Sequence, residues 1–410
     1  MTLFEPSDTL KTRILSMEDP MQKVSYATFL KDVFICSLGA YGGPEAHYGV
    51  FADQMITKKH YVSEEELTEL IALTSILPGP SSTQTIIAMG YKMGGAPLAL
   101  LTTVVWSLPV LCLMTFLSFM EQIAQTLNFS PDIFRYVGPM AVGFILMAIY
   151  NIGKKVLTTP LALGLFVFGA VVSYFYKASW ITLSLLIFGG LMAVITHKEK
   201  HKFNKISVNP PWPYLIAFFV FAVGLAVLNV VTDNRIVGLF ESFYRYGYMV
   251  IGGGQVVVPL MHSDLVEVHK YMTDQEFLTG FGIVQGMPGP MFSFSAYAGG
   301  MAARDLGFLG QLLGAIVSGM GIFLPGILLI FFVYPIWEEL KQMRAIKISI
   351  SGIAPVACGL ILASAIGMIQ KSGLAWDNLL VMVVTLIPLS TKKVPAPLLV
   401  ASMILLGMIF

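Results

Sequence analysis

The chain has 410 residues, of which 56% are hydrophobic and only 12% are charged, and its formal net charge is +1. Soluble domains carry about 25% charged residues, so this composition excludes an ordinary soluble protein and predicts a polytopic membrane protein. The near-neutral charge argues against nucleic acid as a partner. Cys36, Cys112 and Cys358 lie singly in apolar runs, so we expect neither a disulfide framework nor a metal site.

Apolar segments follow one another along the chain, and they give thirteen candidate spans if each broken segment crosses the membrane once. They run over about 29–56, 64–93, 97–120, 133–152, 157–176, 179–195, 212–231, 236–262, 274–303, 307–334, 345–370, 376–390 and 394–410. Residues 1–28 precede them and are polar and of mixed charge, without the apolar stretch of a signal peptide. This stretch is predicted to be a cytoplasmic or interfacial segment.

The segments form two similar halves. Pro109 is matched by Pro325, and Pro139 by Pro355, in each case 216 residues later (325 − 109 and 355 − 139). Each half has six segments, and the segment at 212–231 has no counterpart. The predicted domains are a first transmembrane repeat at 29–195, a cytoplasmic linker with an extra transmembrane helix at 196–235, and a second transmembrane repeat at 236–410.

The extra helix bears on the orientation of the halves. With every segment crossing once, seven crossings separate a segment from its partner, so the two repeats are predicted to be inverted. Most lysines and arginines then fall on the side of the N-terminus and of the 196–210 linker, which places that side in the cytoplasm and Phe410 outside. If only one broken segment of each half is re-entrant, the parity reverses and the halves are parallel.

Helix breakers recur inside the apolar sequence at corresponding places of the two halves. The first half has Gly42-Gly43-Pro44 and Pro78-Gly79-Pro80, and the second half has Gly253-Gly254-Gln255 and Pro288-Gly289-Pro290. Broken helices are tolerated in a membrane where they are buried in protein or line a cavity. Such breaks in both halves indicate the binding site of a transporter.

Capping boxes mark the start of the second broken segment in each half. Ser63-x-x-Glu66 and Thr273-x-x-Glu276 pair a hydroxyl with a carboxylate three residues later. This pattern satisfies the free amides at the start of a helix, so both are interpreted as structural.

Pro78-Gly79-Pro80 is followed by the polar run Ser81-Ser82-Thr83-Gln84. Proline ends the preceding helix, and a new helix can begin at Ser81 with its free amides directed into the break. Amides, hydroxyls and the helix dipole together favour an anion. The alternative is a proline kink packed by neighbouring helices. The second copy is less polar, with Ser293 as its nearest hydroxyl.

Glu45 and His47 follow the first glycine pair and are absent from the second copy. Ionisable residues within the membrane are functional candidates, so this pair is predicted to carry proton coupling. The alternative is a buried side chain satisfied by packing. Lys92 ends the half-helix and either extends to the cytoplasmic surface or adds positive charge to an anion path.

Together these motifs resemble the chromate transporter (CHR) family. Gly42-Gly43-Pro44-Glu45-Ala46-His47 and Pro78-Gly79-Pro80-Ser81-Ser82-Thr83-Gln84 are similar to its first-half signature. Gly252-Gly253-Gly254-Gln255 and Pro288-Gly289-Pro290 are similar to its second-half signature. The resemblance spans nearly the whole chain, which implies the long two-domain form. It implies oxyanion transport, chiefly chromate efflux, with sulfate as a chemically similar ion, and the family's basic residue after the second half-helix is present as Lys92.

The sequence therefore predicts an all-α, multi-pass protein of the plasma or inner membrane that acts as a secondary transporter of a tetrahedral oxyanion. The expected partners are chromate or a sulfate-like anion, protons and the bilayer, with no cofactor and with homodimerisation left open. A sulfate or other oxyanion transporter and an anion channel are the alternatives. An enzyme is not expected, because the chain has no metalloprotease motif and no nucleophile elbow.

Overall fold

In the computed structural model, residues 24–126, 131–176, 179–197, 209–250, 257–340, 344–371, 375–391 and 393–409 are described, and they contain helices and no β-strand. The helices are α1 (Tyr26–Gly39), α2 (Pro44–Phe51), α3 (Glu64–Ile76), α4 (Ser81–Thr126), α5 (Val137–Val156), α6 (Pro160–Phe175), α7 (Ser179–Thr196), α8 (Trp212–Thr232), α9 (Arg235–Met249), α10 (Val258–His262), α11 (Asp274–Gln285), α12 (Phe294–Ala302), α13 (Gly307–Val333), α14 (Trp337–Leu340), α15 (Arg344–Lys371), α16 (Trp376–Thr391) and α17 (Ala396–Ile409). α2 and α10 continue as π-helices over Ala52–Lys58 and Ser263–Val268, and short 3-10 turns lie at Pro131–Phe134, Met291–Ser293, Arg304–Leu306 and Tyr334–Ile336.

The predicted helix breaks at Gly42, Pro78 and Pro288 are confirmed, and the one at Gly253 lies outside the described residues. α3 ends at Ile76, ahead of Pro78, and α4 begins at Ser81. Both capping boxes are also present, since the Ser63 and Thr273 side chains accept from the amides three residues later while Glu66 and Glu276 bond the capping residues' own amides. These local signals fix where the broken segments begin and end.

α4 contains a second break. Gly94 and Gly95 have non-helical backbone angles, and Gly95 has a φ of +65°. α4 is therefore a half-helix over 81–93, followed by a separate apolar helix over 96–126.

Both broken segments of the first half double back on themselves. In hairpin 1 (residues 26–58), Nε2 of Gln54 near the end donates to Oδ1 of Asp32 near the start, at 2.8 Å. In hairpin 2 (residues 64–93), the hydroxyls of Thr74 and Thr85 are 2.9 Å apart. Contacts between the two arms of a segment at these positions require the arms to run antiparallel.

The second half repeats this arrangement. In hairpin 3 (residues 235–268), Nη2 of Arg245 donates to Oδ2 of Asp264 at 3.2 Å. In hairpin 4 (residues 274–302), the hydroxyl of Tyr297 donates to the carbonyl oxygen of Glu276 at 3.0 Å. Four hairpins, two in each half, thus take the place of four simple crossings.

The hairpin arms are short. α1 has 14 residues and α3 has 13, which correspond to about 20 Å of helix and fall below the length of about 20 residues that a crossing needs. Among the described residues, five helices are long and apolar enough to cross a membrane, and they lie within α4, α5, α8, α13 and α15. Four shorter apolar helices lie in α6, α7, α16 and α17. Nine apolar helices therefore remain as candidates to cross.

The helix ends fall into two groups. At the first, here called end A, the Tyr26 hydroxyl donates to the Gly94 carbonyl oxygen at 3.0 Å, and the ring of Tyr91 lies 5.3 Å from that of Tyr334. At the second, end B, Arg135 pairs with Asp377. Arg235 likewise pairs with Asp305 at end B, and Nε2 of Gln275 donates to the Phe134 carbonyl oxygen at 3.3 Å.

Candidate functional site

The tips of the hairpins meet across the two halves. The amide of Gly79 donates to the carbonyl oxygen of Val250 at 2.7 Å, and the amide of Gly289 donates to that of Ala40 at 2.7 Å. The two bonds join equivalent positions, since 79 + 210 = 289 and 40 + 210 = 250. Each half therefore holds the tip of the other by the same contact.

Glycine is required at these tips. Gly79 has a φ of +129° and Gly289 a φ of +94°, in the left-handed region that side chains rarely adopt. A Cβ atom on Gly79 would also lie 2.6 Å from Nε2 of Gln84. Gly42 and Gly43 have φ values of +85° and +94°, so the turn into α2 depends on glycine in the same way.

A narrow cleft lies between the tips. Its lining comes from three breaks, with Pro44 and His47 from hairpin 1, Pro80, Ser81, Ser82 and Thr83 from hairpin 2, and Pro290, Met291 and Phe292 from hairpin 4. The volume of the cleft is about 10 Å³, which is close to the minimum that one water molecule needs. The hairpins must therefore separate to take anything larger.

Helix starts from both halves border this cleft. In α4, the Gln84 amide makes the first bond within the helix, to the Pro80 carbonyl oxygen at 2.8 Å, so the amides of Ser81–Thr83 have no acceptor inside the helix. Opposite them, the Ser293 amide bonds the Pro290 carbonyl oxygen at 2.9 Å, which leaves the amide of Phe292 in the same position. Two helix N-termini carry partial positive charge, and this arrangement favours an anion between them.

His47 connects hairpin 1 to the start of α4. It is buried, and its Nδ1 lies 2.9 Å from Oγ of Ser82. The indole of Trp106 packs edge-on against the imidazole, with 5.4 Å between ring centroids, and its Nε1 donates to Oγ1 of Thr83 at 3.1 Å. The hydroxyls at the cleft are thus held in place by two rings.

A family model described as chromate transporter matches residues 27–200 and, a second time, residues 237–408. The chain belongs to the chromate transporter family. Because the match occurs twice, the chain has the long two-domain form that the motifs predicted. It is a multi-pass membrane protein with an all-α fold, as expected.

Several proteins are similar over most of their length. The probable chromate transport protein of Synechococcus elongatus is 25% identical over 96% of this chain and 98% of its own. The chromate transport protein of Pseudomonas aeruginosa is 23% identical over 90% of this chain and 86% of its own. That of Cupriavidus metallidurans is 23% identical over 90% of this chain and 89% of its own. No solved structure matches.

Two residues that the sequence assigned to the site lie away from the cleft of this chromate transporter family member. Glu45 is exposed and forms an ion pair with Lys155, whereas His47, two residues later, lines the cleft. Lys92 pairs with Glu66 of the capping box, and ten residues separate it from Ser82, which is about 15 Å of helix. In the second half Arg304 pairs with Glu276 at 2.6 Å, so a basic residue bound to the capping carboxylate is common to both repeats.

Other expected residues lie behind the cleft. Gln84 is buried, and its Nε2 donates to the carbonyl oxygen of Pro78 at 2.8 Å. Oε1 of Gln84 and Oγ of Ser293 are buried and lack a hydrogen-bond partner among the described residues. Pro288 belongs to the hairpin 4 turn and does not contribute to the lining. Gly253, Gly254 and Gln255 fall outside the described residues.

Sequence reasoning missed two residues. Trp106 lies inside an apolar span. Its indole N–H needs an acceptor when it is buried, and this requirement could have identified it from the sequence. Asp32 is also buried, and it accepts from the Tyr61 hydroxyl at 2.6 Å. A carboxylate within an apolar segment is a functional candidate, and this could have identified Asp32 from the sequence.

Proposed function

We propose that this chain is a secondary transporter that carries a tetrahedral oxyanion, with chromate as the first candidate, across the cell membrane. The observation that carries the proposal is the cleft on which a helix start from each half converges. Two partial positive charges suit a doubly charged ion. The names of the similar proteins support chromate among the possible oxyanions.

The chemistry of the lining supports an anion that is bound without full positive charges. His47 is the one titratable side chain among the described residues that line the cleft. An uncompensated charge away from water is very costly, so amides and hydroxyls must take over the hydration of the ion. Ser82 and Thr83 supply hydroxyls at the start of α4, where the free amides also lie.

We infer that the two repeats are inverted in the membrane. If the four hairpins re-enter and the nine apolar helices cross, five crossings separate hairpin 1 from hairpin 3, so their open ends lie on opposite faces. The contacts at ends A and B support the inverted arrangement. In every one of these contacts, the count of crossings places both residues on the same face of the membrane. Lys58, Lys59 and Lys92 fall at end A, and the 196–210 linker joins the chain there, which supports a cytoplasmic end A.

Coupling to protons and outward transport are further parts of the proposal. His47 is the candidate proton carrier because it contacts Ser82 at the cleft. Glu45 is now the weaker of the two predicted residues, since its carboxylate faces Lys155. A proton on His47 adds positive charge beside the anion, which links the binding of the two.

Purified protein in liposomes tests the proposal. We expect chromate uptake that saturates, that is inhibited by sulfate more than by phosphate, and that accumulates against a chromate gradient when a pH gradient is imposed. Uptake that neither saturates nor accumulates would favour the anion channel. Saturable uptake of sulfate or molybdate, with none of chromate, would favour another oxyanion as the substrate.

A further inference from the structure

A second, larger cavity lies near end B, apart from the cleft. Its volume is about 290 Å³. It lies between the C-terminal ends of α6 and α15 on one side and the π-helical part of hairpin 3 on the other. Ser173 lines it from α6, Ser364 from α15, and His262 and Glu267 from hairpin 3. First-half and second-half residues thus form its walls together.

Polar side chains make up most of the lining residues. Hydroxyls, an amide, an imidazole and a carboxylate contribute to it, with Gln370 supplying the amide. Two of these groups have protein partners, since Nε2 of His262 lies 2.8 Å from Oδ1 of Asp274 and Nε2 of Gln370 donates to the Tyr174 hydroxyl at 3.4 Å. Ionisable residues at membrane depth normally face a water-filled space. The volume is sufficient for several waters.

The cavity extends inward from the surface towards the hairpin tips. Ser364 lies seven residues before the end of α15 at Lys371, which is about 10 Å of helix. Pro259 and Leu260 of α10 also line it, and α10 begins four residues after Gly254, in the second glycine cluster of the sequence. The cavity therefore extends from end B towards the tip of hairpin 3.

We propose that this cavity is an aqueous vestibule on the outer face, through which the oxyanion passes between the cleft and the outside. The inference rests on the inverted arrangement proposed above. Counting crossings places the C-terminal ends of α6 and α15 and the open end of hairpin 3 on the same face. Thr182, near the start of α7, also lines the cavity, and the count places the start of α7 on this face as well.

Labelling of introduced cysteines tests the vestibule. In a chain whose Cys36, Cys112 and Cys358 are replaced by Ala, Ser173→Cys and Ser364→Cys are treated in intact cells with a membrane-impermeant, anionic methanethiosulfonate. We expect both to react from outside. The matched controls are Val171→Cys and Ile366→Cys, which lie two residues away on the same helices with side chains exposed on the protein surface, and which we expect to stay unlabelled in lipid.

Transport provides the second measurement. Chromate transport by Ser364→Cys should fall at least about tenfold after labelling, because the attached group fills the vestibule, and treated Ile366→Cys should keep its rate. Absence of labelling at Ser173→Cys and Ser364→Cys, labelling from the cytoplasmic side alone, or labelling with unchanged transport would each overturn the inference. If the untreated variants and the parent chain do not transport chromate, the proposed function fails, and the side of labelling still decides whether the vestibule exists.

Discussion

Nδ1 of His47 lies 2.9 Å from Oγ of Ser82, so one hydrogen bond joins the first hairpin to the helix start of the second. The hydroxyl that is best placed to contact an anion is therefore also the partner of a titratable ring. In the proposed function, protonation of the imidazole and binding of the anion act on the same atom. This relationship gives the proposed proton coupling a location that can be tested.

Replacing His47 by Asn removes the titratable group and keeps a polar side chain that can reach Ser82. Histidine is the side chain that most readily changes charge near neutral pH. We therefore expect the rate of chromate transport in liposomes to vary less than about twofold between about pH 6 and about pH 8, while the parent protein shows a clear dependence. Glu45→Gln is the matched control, because Glu45 pairs with Lys155, and it should keep the parent profile. A parent-like profile for His47→Asn would assign the coupling elsewhere.

Ser82→Ala should weaken chromate binding. A hydrogen bond to a charged group contributes about 1.5–3 kcal/mol, which corresponds to a roughly ten- to a hundredfold higher Kd. Isothermal titration of the purified protein measures this. Ser75→Ala is the control within hairpin 2, since Ser75 is exposed and its hydroxyl bonds only the Ile71 carbonyl oxygen in the described contacts. Equal loss in both variants would point to a damaged hairpin instead of a lost contact.

Gly79→Ala should impair the tip itself. The left-handed backbone costs an L-residue about 1–2 kcal/mol, and the new Cβ would meet the Gln84 side chain at 2.6 Å. We expect a lower unfolding temperature in detergent together with weaker chromate binding. Gly164→Ala, on α6 with nothing within 4 Å of an added Cβ, should change neither property. A Gly79→Ala protein with parent stability and affinity would contradict the described tip geometry.

Lys92→Met separates the two interpretations of this lysine. Because Lys92 bonds Glu66 at end A, we expect the variant to be less stable. Its chromate Kd should stay within about twofold of the parent value, because Lys92 and the cleft are more than about 10 Å apart and such distant sites are nearly independent. Thermal unfolding and chromate titration of the same preparation measure both quantities. A tenfold rise in Kd would instead assign Lys92 to the anion path.

Lys58→Cys and Lys270→Cys test the inversion of the repeats. Lys58 ends the π-helix of hairpin 1 and Lys270 lies two residues after that of hairpin 3, so both lie at the open ends of these hairpins. We expect an impermeant thiol reagent to reach Lys270→Cys from outside, and Lys58→Cys only in opened or inverted vesicles. Labelling of both positions from one face would show that the halves are parallel.

The sequence predicted the breaks, the caps and the repeat because each depends on local chemistry. Pro78, Gly79 and the box at Ser63 determine backbone angles and amide partners within a few residues. The sequence did not predict that each broken segment doubles back as a hairpin. A helix of 13 residues followed by a turn has the same local sequence features whether the chain then continues across the membrane or returns. That choice depends on packing between arms, such as Thr74 against Thr85.

The same limit applies to the site. The sequence placed Glu45 and His47 together because they are two residues apart, but on a helix such residues point in different directions, and only His47 lines the cleft. Lys92 was assigned by its place after the half-helix, while its partner Glu66 is 26 residues earlier. Trp106 contributes through contacts with two different hairpins, which no spacing along the chain reveals.

The paired bonds from Gly79 to Val250 and from Gly289 to Ala40 mean that neither repeat completes the cleft alone. A polypeptide with a single repeat would lack the acceptor for its own tip amide. In the inverted arrangement proposed above, it would need a second copy inserted in the opposite orientation. On the same proposal, α8 supplies the extra crossing that delivers this partner within one polypeptide, so assembly does not depend on the concentration of a second subunit.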